Sequence, residues 1–152
     1  LEARVRVLGP EHPDTLRSRN NLAGCYRALH RFDEAIALDE ETLEMRTRVL
    51  GAEHPDTLQS RNNLAGGYRA VGRFDKAIAL DEETLAERIR ILGREHPDTL
   101  HSQHNLATSY LAVGRFDEAM ELDRNTLAAR ESLLGPDHLD TQESRRRVYD
   151  LK

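Results

Sequence analysis

LGPEHPDTL at Leu8–Leu16 returns as LGAEHPDTL at Leu50–Leu58 and as LGREHPDTL at Leu92–Leu100, then more loosely as LGPDHLDTQ from Leu134. Each step is 42 residues. Between these markers NNLAGCYRALHRFDEAIALDEETL, from Asn20 to Leu43, recurs as NNLAGGYRAVGRFDKAIALDEETL and as HNLATSYLAVGRFDEAMELDRNTL. A fixed period of this size is the signature of a repeat architecture, in which one structural unit is stacked on the next. The opening LEARVRVLG aligns with LEMRTRVLG at Leu43–Gly51, so the expected organisation is one solenoid domain over 1–152 that starts inside a repeat. A partial second helix is expected at 1–8, full repeats at 9–50, 51–92 and 93–134, and a terminal segment at 135–152.

Each period reads as two helices joined by a tight turn, because apolar residues recur at three- and four-residue steps. Leu16, Leu22, Ala23, Tyr26 and Leu29 make one stripe, and Phe32, Ala35, Ile36, Leu43 and Leu50 make the other. Pro13, Pro55 and Pro97 suit a first helical position, and Asp14, Asp56 and Asp98 place a carboxylate in the positive first turn. Gly51, Gly93 and Gly135 suit left-handed C-terminal caps, while Gly72 and Gly114 mark the turn inside the hairpin. His30 holds that turn position in the first repeat, where a left-handed conformation costs it more than it costs glycine. Ala23, Ala65, Ala107, Ala35, Ala77 and Ala119 are the expected points of close helix approach. The final segment breaks the pattern, with Tyr149 for Ala, Arg146 and Arg147 for the Asn pair and Leu139 for Pro, so Thr141–Leu151 reads as a capping helix.

Composition bounds the function classes. No apolar run approaches the roughly 20 residues that span a bilayer, no signal peptide is visible at LEARVRVLG, and the single Cys25 cannot form an internal disulfide, which fits a reducing cytoplasm. A formal net charge of −5 argues against nucleic acid and anionic membranes as partners. Of the 22 basic residues only Lys76 and Lys152 are lysines, a bias that points to a GC-rich bacterial genome.

Catalytic and metal chemistry find no residue set. His12, His54, His96 and His138 are 42 residues apart, so they sit one per repeat and read as loop residues that support a helix start. His101 and His104 share a helical face, but zinc needs a third or fourth ligand. No phosphate loop, cofactor motif or nucleophile motif is present, and an enzyme is not expected. The acidic runs at Asp39–Leu43 and Asp81–Leu85 read as a solvated helix face.

The pattern of Leu22, Ala23, Tyr26, His30 or its glycine equivalents, Phe32 and Ala35 resembles the tetratricopeptide signature. The 42-residue period with HPDTL is similar to kinesin light chain repeats and to bacterial signalling proteins. The resemblance implies an all-α, right-handed superhelical solenoid of antiparallel helix hairpins. Arg19, Arg61 and Gln103 depart from it, since a large aromatic is usual there.

The resemblance also implies that the first helix of each repeat lines a ligand groove. Opposite the apolar stripe lie Arg17, Asn20, Asn21, Gly24 and Arg27, then Gln59, Asn62, Asn63, Gly66 and Arg69, then His101, His104, Asn105 and Thr108. They are either groove residues or the ordinary solvent face of a helix. As a groove, Asn would grip a peptide backbone through its donors and acceptors, and Arg would choose carboxylates. The second helices are acidic, with six acids against two bases over 33–50, so an acidic partner segment is favoured at the first helices. The expected function is a protein- or peptide-binding scaffold, the sensor or adaptor part of a larger bacterial signalling protein. The alternative is self-association through the N-terminal end of the stack.

Overall fold

The computed structural model describes residues 1–150, and among them are eight α-helices. They are α1 (Glu2–Leu8), α2 (Pro13–Ala28), α3 (Phe32–Leu50), α4 (Pro55–Ala70), α5 (Phe74–Leu92), α6 (Pro97–Ala112), α7 (Phe116–Leu134) and α8 (Leu139–Asp150). Residues 1–80 form one compact unit and the residues from Asp81 onward a second, the division falling within α5. In the first unit α1 packs on α2, α2 on α3 and α3 on α4; in the second, α6 packs on α7 and α7 on α8. These partners are neighbours in the chain, as in an α-solenoid.

The histidines start the helices. His12 Nδ1 accepts from the Asp14 backbone N–H at 3.2 Å, and His54, His96 and His138 do the same for Asp56, Asp98 and Asp140 at 3.1, 3.1 and 3.2 Å. The ring nitrogen thus fills the N-cap role usually taken by Ser, Asp or Asn, satisfying one orphan donor of the first turn. Proline follows at the first helical position in α2, α4 and α6. At the fourth start the His138 cap lets Leu139 take that place, so α8 begins two residues earlier than expected. Leu151 of the expected capping helix lies outside the described residues.

The glycines after the long helices differ from expectation. Gly51 has φ 94° and ψ 160°, an extended conformation with positive φ rather than a left-handed helical cap. The chain leaves α3 extended, as the short link to the next His-Pro start demands. Inside the hairpins the expectation holds: Gly72 and Gly114 turn at φ 72° and 79°, and His30 is forced to φ 57°. Leu29 precedes it in the turn and is exposed, not part of the buried stripe. Replacing His30 by glycine is expected to stabilise the protein by about 1 kcal/mol, the scale of the left-handed penalty for a residue with a Cβ. Urea unfolding checks this, and no gain would mean that the edge-on stacking of His30 on Phe32 at 5.7 Å repays the strain.

All six alanines expected at close approaches are fully buried. In the first unit Ala65 and Ala77 join Ile36, Leu64 and Tyr68 in a core flanked by Leu43, Val71 and Leu80. In the second unit Leu100, Leu106, Tyr110, Leu127 and Val148 are buried, as are Ala107 and Ala119. Two phenols tie neighbouring helices at the core edge. The Tyr68 hydroxyl donates to Glu40 Oε1 and the Tyr110 hydroxyl to Glu82 Oε1, both at 2.6 Å. Burial first, then the bonded carboxylate, push both phenols up to about 12.

A repeated arginine secures the join between one hairpin and the next. Arg46 Nη1 donates to the Asp56 backbone carbonyl and to Ser60 Oγ, each at 2.8 Å. Arg88 makes the matching bonds to Asp98 and Ser102 at 2.9 and 2.8 Å, and Arg130 to Asp140 and Ser144 at 3.0 and 2.8 Å. Arg4 meets Asp14 and Ser18 in the same way. Arg46, Arg88 and Arg130 are buried, and their guanidinium groups meet oxygen acceptors that water would otherwise supply.

Candidate peptide-binding wall

Asp39, Asp81 and Asp123 are only 2%, 1% and 3% exposed, which corrects the reading of the acidic runs as entirely solvated. They point inward from the second helices. Arg27, from the candidate wall on α2, forms an ion pair with Asp39. Burial raises the Asp39 carboxyl above the usual range, while Arg27 and Arg46 pull it back. Asp81 accepts from Ser109 Oγ at 3.1 Å.

In the third hairpin Leu111 stands where Arg27 and Arg69 stand, so the hairpin cannot supply its own cation to Asp123. Arg147 of α8 supplies it instead. Its Nε and Nη2 donate to Asp123 Oδ2 at 3.2 and 3.1 Å, and its Nη1 donates to Thr108 Oγ1 at 3.0 Å and faces His104 Nε2 at 3.3 Å. Burial raises the Asp123 carboxyl, with Arg147 and then Arg130 opposing. Arg147 thereby touches two candidate wall residues, His104 and Thr108, although the sequence reads it only as a break in the pattern. Two compensating departures, Leu111 for Arg and Arg147 for Asn, were the available signal.

The first unit brings several candidates together. Asn63 Nδ2 donates to Asn20 Oδ1 at 2.5 Å, and Gln59 Nε2 donates to Asn63 Oδ1 at 3.0 Å, so the asparagines of successive first helices form a ladder. Asn62 is 7% exposed, whereas Asn21 is exposed. Arg17 is exposed and pairs with Asp14 at 2.8 Å. In the second unit His101 and Thr108 are exposed while His104 and Asn105 are half-buried.

Two glycines open this wall. A Cβ on Gly24 would find only Arg27 Nη2, at 3.9 Å, and one on Gly66 only Arg69 Nη2, at 3.7 Å. No atom of a neighbouring helix lies within 4 Å of either Cβ position. Gly67 is the opposite case, since a Cβ there would lie 2.9 Å from Ile36 Cγ1. Close helix packing therefore accounts for Gly67 and leaves Gly24 and Gly66 without a structural reason for lacking a side chain.

Helical hairpins joined to their chain neighbours, with a polar first-helix face broken by open glycines, define an α-helical repeat scaffold. The tetratricopeptide repeat model matches residues 1–48, 18–86 and 58–132. The chain belongs to the tetratricopeptide repeat family. The crystal structure of the kinesin light chain-type, nearly identical TPR-like repeats of Podosopora anserina is 34% identical, covering 97% of this chain and 70% of that one at a TM-score of 0.83. A glutamine-to-methionine variant of the same protein gives 34% identity, 97% and 69% coverage and a TM-score of 0.85. BtubC (BKLC) from P. vanneervenii shares the fold at 22% identity and a TM-score of 0.80, over 90% of this chain and 55% of that one. No match is found among curated proteins. Among the described residues no helix is long and apolar enough to cross a membrane.

Proposed function

We propose that this chain is a scaffold that holds an extended protein segment along the first-helix face, with the backbone of the ligand lying over Gly24 and Gly66. The observation that carries this reading is the open space before those two glycines. A mid-helix glycine costs about 0.5–1 kcal/mol relative to alanine, and here no helix contact offsets that cost. Ligand contact would. Asn21 and Asn63 flank the gap with amides that can both donate and accept. The Arg27–Asp39 pair neutralises much of the charge at this face, so Arg27 serves as an oriented donor and the preference for an acidic segment is modest. The cytoplasmic bacterial signalling setting rests on the arginine-for-lysine bias and the resemblance of the repeats.

The adjacent glycines provide the test. Gly66→Ala is expected to stabilise the fold by about 0.5–1 kcal/mol through helix propensity. Gly67→Ala is expected to destabilise it by about 1 kcal/mol or more through overpacking on Ile36. Thermal unfolding distinguishes the signs. For function, Gly24→Leu with Gly66→Leu should fold normally and lose a partner captured by pull-down, as read by titration calorimetry. Full binding by that variant, with loss caused instead by Glu44→Lys at an exposed position on α3, would move the interface to the second helices.

A further inference from the structure

In the first hairpin the seat between the start of α2 and the end of α3 is filled by charge pairs. Arg19 Nη1 donates to Glu41 Oε2 at 2.7 Å, and Arg48 binds Glu11. Two 42-residue steps along the chain, Arg19 becomes Gln103, Glu41 becomes Asn125 and Arg48 becomes Ser132. Glu44 and Met45 become Ala128 and Ala129. The loss of these long side chains leaves a cleft of about 380 Å³ between α6 and α7. Its apolar wall is Leu100 with the two alanines, and Arg94 and Glu95 stand at its mouth.

Two groups in this cleft lack protein partners among the described residues. Glu95 keeps the acid of Glu11 but has lost the matching arginine to Ser132. Gln103, only 6% exposed, accepts from Thr126 Oγ1 at 2.8 Å, and its Nε2 donates to no protein atom. The Gln103 amide lines the cleft and stays open to it, so its Nε2 can donate to an occupant that accepts.

We propose that this cleft binds a free α-amino acid. The carboxylate accepts from Gln103 Nε2 with Arg94 beside it, the ammonium group pairs with Glu95, and the ligand side chain lies against Leu100, Ala128 and Ala129. The lining offers a partner to each of the two charges. A simple cation would leave Gln103 unmet, and a simple anion would face Glu95. The volume sits near the low end of small-molecule sites, which run from about 300 to 1,000 Å³. The cleft uses none of the residues assigned to the peptide-binding wall, so the two readings stand or fall separately.

The experiment uses the full chain and each of the twenty L-amino acids in turn, read by thermal unfolding and by titration calorimetry. At least one should raise the unfolding midpoint in a concentration-dependent way, as a ligand that binds only the folded state must. Its N-acetyl, C-amide derivative, which keeps the side chain and loses both charges, should have no effect. Glu95→Gln, at the exposed mouth, should weaken binding by roughly tenfold or more through loss of a charge-assisted bond. The double variant Gln103→Arg with Asn125→Glu rebuilds the ion pair of the first hairpin and should remain folded but lose the response. The proposal is overturned if no amino acid shifts the midpoint or gives heat, if the blocked derivative binds equally well, or if the rebuilt variant still responds.

Discussion

Arg147→Ala is expected to lower stability by about 3 kcal/mol, the lower end of the range for removing one partner of a buried ion pair. The variant leaves Asp123, 3% exposed, without its closest cation, and only the neighbouring Arg130 softens the loss. Leu111→Arg should restore most of it. That substitution returns to the third hairpin the arginine that Arg27 provides for Asp39 in the first. A double-mutant cycle measured by urea unfolding should therefore give a large coupling between positions 111 and 147. Independent, additive effects would show that the pair at Asp123 does not hold α8 in place.

The same pair has a pH signature. Burial raises the Asp123 carboxyl above its unfolded value, so the folded protein takes up this proton more readily than the unfolded chain. Its stabilising contribution is complete below the unfolded pKa and is lost as pH rises through the folded one. Removing Arg147 takes away a cation that opposes the shift. The deficit of Arg147→Ala relative to the parent should thus shrink as pH falls from neutral toward the carboxylate range. A constant deficit across that window would place the cost in lost packing rather than in an uncompensated charge.

Ala77→Leu is expected to cost up to about 3 kcal/mol by overpacking, and Ala79→Leu less than about 0.5 kcal/mol. The two residues differ by two positions on one helix and have equal helix propensity. Ala77 is 0% exposed within the core of the first unit, while Ala79 is exposed. Thermal melts of the two variants, with matched circular dichroism, decide it. Coincident melting curves would mean that α5 tolerates bulk at Ala77 and that the small residue there does not set the helix approach.

The hairpins were legible because each repeats the same local statements. The proline at Pro13, Pro55 and Pro97, the alanines at 42-residue steps and the strained turn at His30 all describe local backbone or close contact, which sequence spacing encodes directly. The interior ion pairs were less legible. A charged residue on an amphipathic helix is normally solvated, so Asp39 and Asp81 read as part of the solvated face although both are buried. Their recurrence in successive repeats was the clue. The wall was readable as a face but not as a set of bonds. Which amide meets which, such as Asn63 with Asn20, depends on how one hairpin is offset against its neighbour, and no local pattern states that offset.

The arginine that secures each hairpin join also has a kinetic meaning. Arg46 reaches partners only ten and fourteen residues ahead, at Asp56 and Ser60. Closing a loop of about ten residues takes roughly 10–100 ns, whereas synthesis adds only about 5–20 residues per second. On a growing chain, Arg46 can therefore engage the start of α4 within moments of Ser60 becoming free, long before the following hairpin exists. Contacts of such short range favour rapid folding, and they let the nascent protein order itself from its beginning toward its end while exposing little unpartnered apolar surface at any time.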